Sequence, residues 1–101
     1  MEPPRPLDLP EIRRRLAAAR PALERRYPIR SLAVFGSFAR GEAGPDSDVD
    51  VLVEFSAPVG WEVADLAEEL DGLLGRHVDL VSRGALDDRR LRVVAPDLVE
   101  V

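Results

Sequence analysis

Two apolar runs, separated by a Gly-Ser turn and a polar loop, constrain this chain more than any other feature. Leu32-Ala33-Val34-Phe35 leads into Gly36-Ser37, ten further residues, and then Asp48-Val49-Asp50 and Val51-Leu52-Val53-Glu54-Phe55. That order predicts a strand, a tight turn, a polar loop and a second strand that opens with two carboxylates. Residues two apart on a strand share a face, so Asp48 and Asp50 stand side by side, roughly 6–7 Å apart along the strand. Ionised carboxylates in partly desolvated surroundings repel, on the order of 4 kcal/mol at 4 Å and an effective dielectric of 20. Chains keep such a pair mostly where a cation resolves the repulsion. A small set of hard oxygen donors, with space left for water and phosphate oxygens, suits Mg²⁺.

Glycine lets an anion approach the backbone, and the free N–H groups that open a helix bind phosphate, which makes Gly36 and Ser37 candidates for that task. Ser37 is also suited to cap a short helical turn running to Arg40. Arg40, one turn further on, is placed to reach the same phosphates, and guanidinium geometry fits them. Asp46 lies beside Pro45 and Ser47 and reads as a turn residue. Asp79 sits in Val78-Asp79-Leu80-Val81, where an unpaired carboxylate would be costly to bury. His77 is read as a strand-edge polar residue, Trp61 as a packing residue and Tyr27 as core.

The G-S, ten residues, D-x-D segment resembles the signature of the DNA polymerase β-type nucleotidyltransferase superfamily in its minimal (MNT) form. The stretches Asp65–Leu70 and Gly75–Val81 resemble that family's helix and its third, carboxylate-bearing strand, so the likeness runs from Leu23 to Val99. The resemblance implies that Gly36, Ser37 and Arg40 hold the triphosphate of a nucleotide. It also implies that Asp48, Asp50 and Asp79 bind divalent metal, with Asp79 as the third catalytic carboxylate that helps deprotonate the attacking hydroxyl. ATP as substrate and two Mg²⁺ ions follow from the same likeness. Stand-alone chains of this form are typically the antitoxin half of HEPN/MNT toxin–antitoxin pairs, so the expected partner is a HEPN-type toxin, with an oligomer formed with it a further possibility. The alternatives are a non-catalytic module that neutralises its partner by contact, or a small-molecule nucleotidyltransferase.

Bulk properties bound the answer. One hundred and one residues make one small domain with no room for a separate acceptor-binding domain. The expected division is a disordered N-terminus at 1–7 and a single minimal nucleotidyltransferase domain at 8–101. A net charge of −5 argues against stable nucleic-acid binding, which favours a basic surface. Without cysteine there are neither disulfides nor thiolate metal sites. The stretch Met1–Pro6 lacks a signal peptide's apolar core, and no apolar run approaches membrane length. A cytoplasmic protein, away from the membrane, is the expectation.

The remaining pattern predicts an α+β fold, a small mixed sheet of three to four strands flanked by helices. Asp8 and Glu11 form a capping-box pair ahead of Ile12, Leu16, Ala19 and Leu23 at helical spacing. Pro21 either kinks this helix or divides it near Ala19. Strands are expected at Ser31–Phe35, Val49–Phe55 and His77–Val81, the first two of undetermined relative direction. Val63, Leu66, Ala67, Leu70 and Leu74 form an apolar stripe that Gly75 should end. A short helix from Asp87 to Val94 precedes an apolar tail, which either covers the sheet edge or docks another protein.

Overall fold

The computed structural model describes residues 7–101. Helix α1 spans Leu9–Arg26, strand β1 Ile29–Phe35, helix α2 Gly36–Arg40, strand β2 Val49–Phe55 and helix α3 Glu62–Leu74. Strand β3 (Val78–Ser82), helix α4 (Asp88–Val94) and strand β4 (Val99–Glu100) complete the order, with short 3-10 turns before and after α4. Of the stretch expected to be disordered, residues 1–6 lie outside the described residues, while Leu7 packs against the core.

Asp8 caps α1, accepting from the Glu11 N–H at 3.0 Å. The reciprocal half of the capping box is not made, because the Glu11 carboxylate turns to Arg14 and Arg15. These contacts, Arg14 first, pull its carboxyl down to about 2. Helix α1 runs unbroken through Pro21. Pro21 and Ala17 are both exposed, so the carbonyl that loses its N–H partner can be hydrated.

The sheet order is β3-β2-β1-β4, with β1 antiparallel to β2 and to β4, and β2 parallel to β3. The sheet is therefore mixed, and β1–β2 form an antiparallel pair across the Gly36–Asp48 connection. Strand β1 starts earlier than its apolar run predicts because Ile29 still pairs with Phe55, past an irregularity between Ile29 and Ser31. One face carries Leu32, Val34, Val49, Val51, Val53 and Val78, packed against Ile12, Leu16 and Leu23 of α1 and Leu66, Leu70 and Leu74 of α3. The other face carries Asp50 and Asp79, though Leu52 and Ala33 on that side are also buried.

The C-terminal tail covers the free edge of β1: Val99 pairs with Val34, and the Val101 N–H donates to the Leu32 carbonyl at 3.0 Å. Val93 alone among the tail's valines stays largely exposed, at 75%. No helix among the described residues is long and apolar enough to cross a membrane.

Leu70 is fully buried between α3 and the sheet. Leu70→Ala is expected to cost about 2–5 kcal/mol and to lower the melting temperature by roughly 10 °C or more. Val93→Ser should leave it within about 2 °C, since exposed substitutions usually stay within ±0.5 kcal/mol. Calorimetry of the two variants checks the placement of the core.

Candidate active site

The chain leaves β1 at Phe35 in an extended conformation and reverses at Gly36, whose φ of 71° is left-handed. Because the reversal falls on Gly36, α2 opens two residues earlier than a cap at Ser37 would place it. Phe35, not Ser37, is the N-cap, and among the described residues no side chain caps the helix. Ser37 lies inside the first turn, its carbonyl accepting from the Glu42 N–H at 2.9 Å. The leading N–H groups of α2 therefore have no capping side chain to satisfy them.

Directly beside this turn lies Asp50. In the ladder it stands opposite Phe35 on β1 and opposite Asp79 on β3. Its carboxylate is so close to Gly36 that a Cβ built there would overlap Oδ2 and lie 3.1 Å from Cγ. Only glycine satisfies both the backbone angle and this contact. Asp48, exposed, precedes β2 by one residue, and Asp79 is exposed on the neighbouring strand.

The three carboxylates interact. Partial burial raises the Asp50 carboxyl above its ordinary range; the Asp79 and then the Asp48 charge add to this, and Arg40 opposes it. Among the described residues none of the three has an arginine partner. Nor do any three His, Asp or Glu side chains there close into a metal cage. Asp48, Asp50 and Asp79 offer hard carboxylate oxygens, a donor type that would suit Mg²⁺.

Arg40, expected to reach the phosphates, is ion-paired in this structure. Its Nη1 donates to Asp97 Oδ2 at 2.7 Å and its Nε to Glu42 Oε2 at 3.0 Å, which ties α2 to the turn after α4. Asp46 occupies the turn after Gly44, as its neighbours predict. His77 is exposed, with its carbonyl accepting from the Val49 N–H at 3.0 Å. Tyr27 is buried, but Trp61 is not the packing residue expected from sequence: it opens α3 at 72% exposure.

Arg76 was not distinguished by the sequence. Its Nη1 donates to the carbonyls of Pro45 and Ser47 at 2.9 Å each and faces that of Gly44 at 3.4 Å. Its guanidinium lies 5.5 Å from the centroid of the Phe38 ring.

Residues 16–99 match the family model described as the nucleotidyltransferase domain. The chain belongs to the minimal nucleotidyltransferase family. It is 42% identical over 96 residues to the protein adenylyltransferase MntA of Thermococcus cleftensis, covering 94% of this chain and 97% of that one. A solved structure described as a minimal nucleotidyltransferase superposes with a TM-score of 0.77 at 38% identity, over 94% of this chain and 97% of the other. A chain of the Shewanella oneidensis complex of tri-AMPylated HEPN toxin with MNT antitoxin superposes with a TM-score of 0.66 at 19% identity. That alignment covers 88% of this chain and 70% of the other, and at such identity it shows the fold alone. The minimal nucleotidyltransferase assignment makes this chain an enzyme, and the α+β fold with its mixed sheet is that of its family.

Proposed function

We propose that this chain moves AMP from ATP to a tyrosine hydroxyl of a HEPN-type toxin and thereby silences it. The observation that carries the reading is the seat of Asp50, wedged against Gly36 and flanked by the charges of Asp48 and Asp79, none of the three ion-paired with an arginine among the described residues. A chain with a purely contact-based task has no need of that repulsion. The protein adenylyltransferase name of the Thermococcus cleftensis relative supports a protein as the acceptor.

In this reading the acceptor oxygen attacks the α-phosphorus of ATP, the bond to the β-phosphate bridging oxygen breaks, and pyrophosphate leaves. Gly36 and Ser37 present the backbone at the start of α2 to the triphosphate. Asp48, Asp50 and Asp79 would hold two Mg²⁺ ions, whose charge, when bound, stabilises the entering and leaving oxygens. Asp79 accepts the hydroxyl proton. Arg40 reaches a phosphate by exchanging one of two exposed ion pairs, each worth about 0–1 kcal/mol. The reaction draws on ATP, and we infer a cytoplasmic setting.

The test mixes the chain with its cognate HEPN partner, ATP and Mg²⁺. Intact-mass spectrometry should show the partner gaining one or more adenylate units, with peptide mapping placing them on tyrosine. Chelating the metal, or using Asp48→Asn/Asp50→Asn, should remove the gain. Equal inhibition of the partner by the double variant, with no change in mass, would instead make the chain a contact-only antitoxin.

A further inference from the structure

The segment around Arg76 is fixed from both sides. Gly75 ends α3 in the left-handed region, at φ 65°, with its N–H on the Asp71 carbonyl at 2.9 Å. Val78 then donates to Asp71 Oδ1 at 2.6 Å, and the His77 carbonyl holds the Val49 N–H at the head of β2. Arg76 is thus attached to a rigid corner between the end of α3 and the strand that carries Asp79. From this corner its side chain crosses to the loop between α2 and β2.

That loop has little structure of its own. Gly44-Pro45-Asp46-Ser47 closes by two local contacts, the Ser47 N–H on the Gly44 carbonyl at 3.2 Å and the Gly44 N–H on Ser47 Oγ at 2.8 Å. Nothing in those contacts fixes the turn relative to the sheet. The carbonyls of Gly44, Pro45 and Ser47 all converge on one guanidinium nitrogen of Arg76. Hydrogen bonds from a charged donor are the stronger kind, and a planar fork loses less freedom in making them than a flexible amine. The same group lies over Phe38, buried in α2 two residues after Gly36.

We propose that Arg76 is the positioning residue of this site: it clamps the loop that ends in Asp48 and so sets that carboxylate against Asp50 and Asp79. One side chain engages the helix opened by Gly36, the loop leading to Asp48 and the corner leading to Asp79. It touches no reacting atom. The proposal rests on the reading that these carboxylates bind divalent metal, and its test separates the two.

Mn²⁺ binding to the nucleotide-free chain is followed by electron paramagnetic resonance, alongside hydrogen exchange and AMP transfer. In Arg76→Ala, Mn²⁺ affinity and transfer rate should each fall about 10–100-fold, the range seen when partners of metal ligands are removed. Exchange should speed up at the amides of Ser47 and Val49 while those of α1 and α3 keep their protection. Arg76→Lys should recover part of the affinity, since an ammonium can still donate to the carbonyls. If Arg76→Ala does not fold, Arg76→Gln, too short to reach the same carbonyls, is read by the same measurements. Wild-type Mn²⁺ affinity in a folded alanine or glutamine variant overturns the positioning role while leaving metal binding intact. A wild-type chain that binds no Mn²⁺ overturns the metal reading, and this role with it.

Discussion

Asp50→Asn should reduce adenylyl transfer by about a thousandfold or more and, in metal-free buffer near pH 7, raise the melting temperature. The two effects have one cause. Partial burial and the neighbouring charges of Asp79 and Asp48 hold the folded-state carboxyl above its ordinary value of 3.8. A carboxyl whose folded pKa exceeds its unfolded pKa binds its proton more tightly in the native state. The stability it contributes is therefore fully present below the unfolded value and is lost as pH rises through the raised one. At neutral pH the ionised Asp50 is a cost to the apo fold, and the amide removes it.

The melting-temperature advantage of Asp50→Asn over the wild type should accordingly be positive at pH 7 and shrink towards zero as pH falls below 3.8, the ordinary carboxyl value. Mg²⁺ should reverse the order by stabilising the wild type alone, since a ligand bound only by the native state adds to its stability. Calorimetry across this pH range, with chelator and then with Mg²⁺, measures both trends. A lower melting temperature for the variant at pH 7 in chelator would mean that Asp50 has a structural partner, and that repulsion does not govern this site.

Where side-chain pattern dictates structure, the sequence was legible. The apolar run of β2 placed both its ends correctly, and its alternate residues Val49, Val51 and Val53 are fully buried in the core against the helices. The stop at Gly75 could be read because a left-handed residue after an apolar stripe is a local requirement. The direction of β1 against β2 could not be read, since a connection of this length can return the chain either way. Pro21 was ambiguous for a similar reason: its penalty depends on whether the carbonyl at Ala17 meets water, which only packing decides.

The candidate site divides along the same line. Asp48, Asp50 and Asp79 were visible as carboxylates; Asp50 and Asp79 are paired across the parallel ladder, while Asp48 falls one residue before β2 instead of within it. The pairing of Arg40 with Asp97 left no local signal, because the two lie 57 residues apart in the chain. Arg76 left no signal at all. Its partners are backbone carbonyls, which every residue possesses, and no side-chain pattern distinguishes a carbonyl that faces a guanidinium from one that faces water.

Gly36→Ala provides the sharpest test of the geometry, because a second glycine serves as its control. Gly36 and Gly41 flank the same short helix with nearly identical angles, φ 71° and 72°. A side chain in that region costs about 1–2 kcal/mol, so each alanine variant should lose roughly 5–15 °C of melting temperature. Beyond this shared strain the two positions differ. A Cβ at Gly41 meets nothing within 4 Å, whereas one at Gly36 overlaps the Asp50 carboxylate. Asp50 must then rotate away from Asp48 and Asp79, and a shift of about 1 Å at a reacting centre can cost about a hundredfold in rate. Gly36→Ala should therefore lose AMP transfer about a hundredfold or more, while Gly41→Ala, assayed well below its melting temperature, should stay within about threefold of the wild type. Combining Gly36→Ala with Asp50→Asn should add little further loss, since both changes remove the same carboxylate from its place. Equal losses in the two glycine variants would assign the effect to strain in the helix and not to the seat of Asp50.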